Sequence, residues 1–399
     1  MNGPELIRQM NRHRVLEAVR RLGPVSRADL AAATGLTRPT ISALVAELLT
    51  EGWLEEIGPG GSSGGRRPIL LRFNPRVYLA IGVELSAAHV RAVLCDLEGQ
   101  VLARHKERTR GPDPDAALRQ VAGAIAAMKA TAPPRSRLAG AGFGITGLVD
   151  REQGIWRYSP HYPGPERRVA AELSQACGLP VTVENDARCL ALGEYHFGEA
   201  KGSPSLIGVR VGNSIGAGMI LDGSLYTGTD SGAGELGHVA VAPEGPRCAC
   251  GRYGCLEAVA AAAAIARSAV RQIAGGRNSR IADLVGGRLD EVLASTVIAA
   301  AMDGDPLARE VLAEAGRYLG MAIGNLINLL NPTDVVIGGG TSRAGEHLLG
   351  PLREAALARA LPYQARRVRI RLATHGEYGV ALGAAALVIA PLLAPPAPT

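Results

Sequence analysis

The chain is poor in cysteine, nearly free of lysine, and has no long uninterrupted apolar run. Six cysteines in 399 residues are too few for a disulfide framework, and three of them cluster at Cys248, Cys250 and Cys255. A reducing, cytoplasmic compartment is therefore expected. Lys106, Lys129 and Lys201 are the only lysines, a bias to which no function is attached. Met1 is followed by Pro4, Glu5 and an arginine-rich stretch without an apolar core, so a secretion signal is not expected. Residues 378–399 carry no basic or acidic side chain. Pro391, Pro395, Pro396 and Pro398 interrupt this segment, leaving about a dozen apolar residues where a membrane span needs ~20. A buried terminal helix with a Pro-rich tail is expected instead, and no membrane association. No internal sequence repeat stands out.

With 47% hydrophobic and 20% charged residues, the chain is neither disordered nor fibrous. Its length fits two or three domains. The net charge of +6 is small but uneven. Residues 1–76 hold 11 arginines against 7 carboxylates, whereas residues 77–399 hold 32 basic and 30 acidic side chains. That distribution points to an N-terminal module that meets a polyanion.

The N-terminal fifth has the pattern of a winged helix-turn-helix. Leu6, Ile7, Met10, Val15, Leu16 and Val19 give residues 4–21 one apolar helix face. Ser26 and Asp29 form a capping-box pair for a second helix. Thr37 caps a third, buried through Ile41, Leu44, Val45, Leu48 and Leu49, with Pro39 tolerated in its first turn. Strands at 53–57 and 68–73 flank a Gly/Ser-rich loop. The third helix would present Thr37, Arg38, Thr40 and Ser42 to duplex DNA, with Arg38 suited to a guanine. The wing adds Arg66 and Arg67 for phosphates or the minor groove.

Asn74-Pro75 marks a boundary. Beyond it, a strand meander over 78–108 precedes a helix at about 115–131. Apolar strands run into Gly147, Asn185-Asp186 and Gly338-Gly339-Gly340, and long helices are expected at 187–196, 256–273 and 305–330. Strands that end in glycine or acidic residues, twice over, imply two α/β lobes around a cleft.

The sharpest local signal is His238-x9-Cys248-x-Cys250-x4-Cys255. Three thiolates and an imidazole make a closed tetrahedral set, the pattern of structural Zn2+. Gly251 and Gly254 let the chain fold around the ion. Cys95, Cys177 and Cys189 read as small core residues. Near the metal motif lie Asn185, Asp186, Glu235 and Glu257. Each is explained singly by a helix cap or helix-start charge. As a group they have the acceptors that a polyol needs, and Asp186 has the chemistry of a general base.

Glu235-Leu236-Gly237-His238, the run Cys-Ala-Cys-Gly-Arg-Tyr-Gly-Cys-Leu-Glu at 248–257, and Glu184-Asn185-Asp186-Ala187 resemble the ROK family of repressors, open reading frames and sugar kinases. The winged helix and Gly-Arg-Arg-Pro hairpin are similar to its repressor branch, whose members respond to xylose, N-acetylglucosamine or glucose. The resemblance implies an α/β chain. A winged helix-turn-helix at 1–76 precedes a two-lobed, actin-like (ribonuclease-H-type) ATPase-fold domain. Its first lobe spans 77–196 and its second 197–392, the terminal helix returning to the first lobe; 393–399 is a tail. It also implies a monosaccharide held by Asn185, Asp186, Glu235, His238, Glu257 and the Thr146-Gly147 loop, with His238 serving zinc and sugar alike.

The family's kinases hold phosphate in an Asp-x-Gly-Gly-Thr loop. Here Glu84, Ser86, Ala87 and Ala88 replace its Asp, Gly, Gly and Thr. The second phosphate loop, usually Gly-Thr-Gly-Ile-Gly, reads Gly-Asn-Ser-Ile-Gly at 212–216. The expectation is a sugar-responsive, homodimeric or homotetrameric repressor on operator DNA, without kinase activity and with Asp186 as a vestigial base. An ATP-dependent sugar kinase with a regulatory DNA-binding domain is the alternative.

Overall fold

The computed structural model describes residues 3–61 and 67–396; Arg66 and the last three residues of the expected tail lie outside them. Helices α1 (Gly3–Leu22), α2 (Arg27–Thr34) and α3 (Arg38–Thr50) pack with strands β1 (Val25–Ser26), β2 (Leu54–Pro59) and β3 (Ile69–Phe73), the strands in the order β1-β3-β2. Both caps read from the sequence form. Ser26 and Asp29 make a complete capping box, and the Thr37 hydroxyl accepts from Thr40 N–H at 3.4 Å. The two-residue β1 has no sequence signal, because pairing with Leu70 and Leu71 rather than its own pattern makes it a strand.

Two five-stranded sheets follow. The first contains β4 (Leu79–Leu85), β5 (His89–Asp96), β6 (Val101–Arg108), β7 (Leu138–Ile145) and β10 (Val181–Asn185), in the order β10-β7-β4-β5-β6. The hairpin of β8 (Leu148–Asp150) and β9 (Ile155–Tyr158) lies between β7 and β10 in sequence. Helices α4 (Pro114–Thr131) and α5 (Val169–Cys177) belong to this lobe. The second sheet contains β11 (Ser205–Val211), β12 (Ile215–Leu221), β13 (Ser224–Tyr226), β14 (Asp334–Gly338) and β15 (Arg369–Leu372), in the order β13-β12-β11-β14-β15. Each sheet is an antiparallel meander of three strands extended by two parallel strands. The duplication invisible in the sequence is therefore plain in the topology.

Helix α6 (Asp186–Phe197) runs between the sheets. The helix expected over 256–273 is instead α7 (Leu256–Ala260) and α8 (Ala262–Ala274). Ala261 is extended at the break, and Ala262 N–H donates to the Gly212 carbonyl at 2.8 Å. Helices α9 (Arg280–Leu284), α10 (Ala294–Met302), α11 (Pro306–Leu330), α12 (Glu346–Arg359) and α13 (Pro362–Ala365) complete the second lobe. The last helix, α14 (Gly379–Leu393), returns to pack on β4, β7 and α6. It runs through Pro391 rather than ending there. Its composition is apolar enough for a membrane span, but most of its length is buried in the protein core.

The winged helix is fastened to the first lobe. Ala381, Leu382, Ala385 and Ile389 of α14 share one apolar cluster with Val15, Leu48, Trp53 and Phe73. The Trp53 and Tyr78 rings lie 5.5 Å apart, and Arg137 donates to the Glu51 carbonyl at 3.2 Å. Beside this junction a cavity of about 640 Å³ is lined by α1, α14 and the end of α6, including Arg20 and His196. Burial, with Lys201 and Arg20 adding to it, pushes the His196 imidazole down to about 4. An unfolded histidine titrates near pH ~6.5, so the unfolded chain takes up this proton first. The stability His196 contributes is full above that pH and is lost as pH falls from there toward 4. Urea unfolding at pH 7 and pH 5 should show a smaller acid loss for His196→Gln than for the native chain; equal losses would contradict the burial argument.

Candidate functional site

The charged surface of the winged helix is sorted by ion pairs. Arg8–Glu47, Arg12–Glu51, Arg20–Glu17, Arg27–Glu56 and Arg72–Glu55 neutralise one another. Among the described arginines of this unit Arg14, Arg21, Arg38, Arg67 and Arg76 are exposed and make no ion pair. Of these, Arg38 begins α3 and Arg67 lies on the wing. Thr37 and Thr40 bond to each other at 2.9 Å, so the cap occupies their hydroxyls, while Ser42 is exposed on α3.

The second cluster is metal-like. One ligand atom from each of His238, Cys248, Cys250 and Cys255 can be chosen so that all lie within 4.8 Å of one another. Cys248 Sγ is 3.7 Å from His238 Nδ1, and Cys250 Sγ is 3.7 Å from Cys255 Sγ. The turn depends on Gly254, at φ +68°, where a Cβ would sit 1.7 Å from the Ala242 carbonyl oxygen. The Arg252 N–H and side chain pull the Cys250 thiol down to about 6, whereas burial beside the other thiols pushes Cys255 up to about 12. A cation at the centre would supply the charge that ionises all three. The donor set fits a divalent metal.

The cleft between the lobes brings Asp186, Glu235 and Glu257 into one field. Asn185 caps α6: its Oδ1 accepts from Ala187 N–H at 2.9 Å and Arg188 N–H at 3.2 Å, and its Nδ2 donates to the Gly147 carbonyl at 2.9 Å. Gly147 is required at φ +120°, because a Cβ there would meet the Tyr158 carbonyl at 2.0 Å. Asp186 is buried, with Thr146 donating to its Oδ2. Glu257 Oε2 accepts from Ile215 N–H at 3.1 Å and thereby ties the 212–216 turn to α7. Glu235 keeps a solvent-facing side but is crowded by protein, and that desolvation raises its carboxyl pKa; His238 and Arg188 oppose the rise, while Glu257 and Asp186 add to it. His238 presents Nδ1 to the thiols, leaving Nε2 for a different partner.

Three residues of this site escaped the sequence reading. Arg188, buried on α6, pairs with Glu184 at 3.2 Å and donates to the carbonyls of Thr227, Ser231 and Ala233, holding the loop that leads to Glu235. His161 is half-buried beside the cleft; burial and then Arg210 lower its pKa against Asp186 and Glu257. Arg210 pairs with Asp186 at 3.2 Å and Glu84 at 3.1 Å. A lone arginine in the apolar strand 205–211 was the available signal for it. The turn after Glu84 is closed on itself: Ser86 Oγ donates to the His89 carbonyl and accepts from His89 N–H.

A winged helix joined to a two-lobed, sugar-kinase-like domain defines the class. The ROK family model matches residues 80–390, and a MarR family model matches residues 8–63. The chain belongs to the ROK family. It is similar to a xylose repressor of Caldicellulosiruptor bescii, 32% identical over 99% of both chains. A solved ROK family transcriptional regulator, described as a homologue of the Escherichia coli Mlc protein, superposes with a TM-score of 0.81. It is 31% identical, and the match covers 97% of each chain. A ROK family glucokinase from Streptomyces griseus, solved with glucose and AMPPNP, gives a TM-score of 0.71 at 29% identity, covering 77% of this chain and 98% of that one.

Proposed function

We propose that this chain is a cytoplasmic, sugar-responsive transcriptional repressor. The observation that carries the reading is the joining of a DNA-reading winged helix, through α14, to a cleft lined by Asp186, Glu235 and Glu257. Operator duplex is bound by Arg38, Ser42, Thr37 and Thr40 of the third helix and by Arg66 and Arg67 of the wing. Thr37 and Thr40 act chiefly by setting the helix start. A monosaccharide is held by Asn185, Asp186, Glu235, His238, Glu257 and the Gly147 loop. Closure of the lobes on the sugar shifts the paired winged helices of a homodimer or homotetramer and weakens a palindromic operator complex. The repressor names among the relatives support this reading.

The kinase reading has the glucokinase likeness and Asp186 in its favour. Against it stands the 84–88 segment, where side chains replace the glycines of a phosphate loop and Ser86 closes the turn on itself. Zn2+ in the Cys3His cluster is structural, since four protein ligands leave no open position.

Two experiments test this reading. A duplex selected from a random pool should bind the full chain, and D-xylose, N-acetyl-D-glucosamine or D-glucose should weaken that complex. Arg38→Ala should cost about 1–3 kcal/mol of DNA affinity. An operator affinity that no sugar changes would remove the effector role. Elemental analysis should find one zinc per chain, lost in Cys255→Ser together with thermal stability; a metal-free native chain of full stability would exclude the zinc assignment.

A further inference from the structure

Two carboxylates from different elements meet one guanidinium at the floor of the cleft. Glu84 lies near the end of β4 in the first lobe, Arg210 belongs to β11 in the second, and Asp186 opens α6 between them. Their side chains are 4%, 9% and 5% exposed, respectively. Buried carboxylates without a counter-charge are strongly unfavourable, and one planar fork here serves both. Burial alone would lower the guanidinium's pKa; Asp186 and Glu84 reverse that and leave it raised.

The same group occupies space. Arg210 Nη1 lies 3.3 Å from the position a Cβ on Gly212 would take, beneath the turn that stands for the second phosphate loop. The other Glu84 oxygen is bound by Arg91 at 3.0 Å. Arg91 in turn reaches Glu377 at 3.4 Å, and Lys106 holds Glu377 at 2.6 Å. The Glu84 carboxylate is thus engaged through both oxygens by protein cations. At Asp186, Oδ2 is taken by Arg210 and Thr146, while Oδ1 accepts only the Ala187 N–H at 2.8 Å. Arg210 Nε is buried with no protein partner.

We propose that Arg210 is a built-in counter-ion that fills the place of nucleotide phosphates and positions the sugar site. It fixes Asp186 by Oδ2 and so presents the remaining lone pair of Oδ1 to a sugar hydroxyl. It also joins the lobes at Glu84, so the sugar is recognised without nucleotide. The inference rests on the reading of this cleft as a sugar site.

The test is calorimetric titration of the full chain with D-xylose, N-acetyl-D-glucosamine and D-glucose, each with and without AMPPNP and Mg2+. The native chain should bind its sugar with the same Kd in both conditions and should not bind AMPPNP. Arg210→Met should weaken the sugar at least tenfold, and Arg210→Lys less, because a point charge keeps attraction but loses the fork. Glu84→Gln combined with Arg210→Met removes Arg210 together with one of the two carboxylates it neutralises, while Asp186 keeps its charge. This double variant should regain part of the thermal midpoint lost in Arg210→Met without regaining sugar affinity, whereas a purely structural clasp would regain both in the same proportion. Native affinity in Arg210→Met, restored affinity in the double variant, or sugar binding tightened by AMPPNP would each overturn the proposal. If the native chain takes none of the three sugars, the sugar reading of the cleft fails. The nucleotide arm then still judges Arg210: AMPPNP binding overturns its space-filling role, and no binding supports it.

Discussion

The close crossing of α6 and α14 is the constraint on which the arrangement depends. Gly383 lies where a Cβ would come within 1.6 Å of the Cys189 carbonyl oxygen, and a Cβ on Gly193 would be 2.7 Å from the Gly379 carbonyl oxygen. Only glycine allows that approach. On the far side of α14, Gly82 and Gly142 admit the helix backbone against the first sheet, where Cβ atoms would be 1.8 Å and 1.7 Å from carbonyl oxygens. Gly208 and Gly218 seat α6 on the second sheet in the same way. Two helices in contact thus join the two lobes, and such packed contacts transmit small displacements rather than absorbing them.

Both functional ends are attached to that crossing. Asp186 opens α6 and therefore sits at the cleft, while α14 contributes Leu382 and Ile389 to the core of the winged helix. A second connection is electrostatic. The ion pairs from Asp186 through Arg210, Glu84 and Arg91 end at Glu377, just before α14 begins. An opening or closing of the cleft would change both connections at once. That gives a physical route from sugar occupancy to the placement of the DNA-reading helix without any contact between sugar and DNA.

Much of the fold was legible because its signals are local. The Ser26 and Thr37 caps and the apolar stripes of α1 and α3 stand in short segments of sequence, as does the Cys-x-Cys-x4-Cys spacing. What stayed hidden depends on partners distant in the chain. Strand β1 exists through β3, and the break at Ala261 through the Gly212 carbonyl. Arg210 gains meaning only when Glu84, 126 positions earlier, is placed beside it. The duplicated sheets share topology while their side chains have diverged, so no repeat was visible. In the candidate site, the clustered acids of Asp186, Glu235 and Glu257 were named from motif resemblance, whereas Arg188 and His161 required the folded cleft.

The central claim is that sugar and operator exclude each other through one conformational equilibrium, and binding free energies linked in this way are reciprocal. The most direct measurement is sugar affinity in the absence and presence of a saturating operator duplex, beside operator affinity without and with saturating sugar. The account predicts that both affinities fall by the same factor. A sugar affinity unchanged by operator would contradict it.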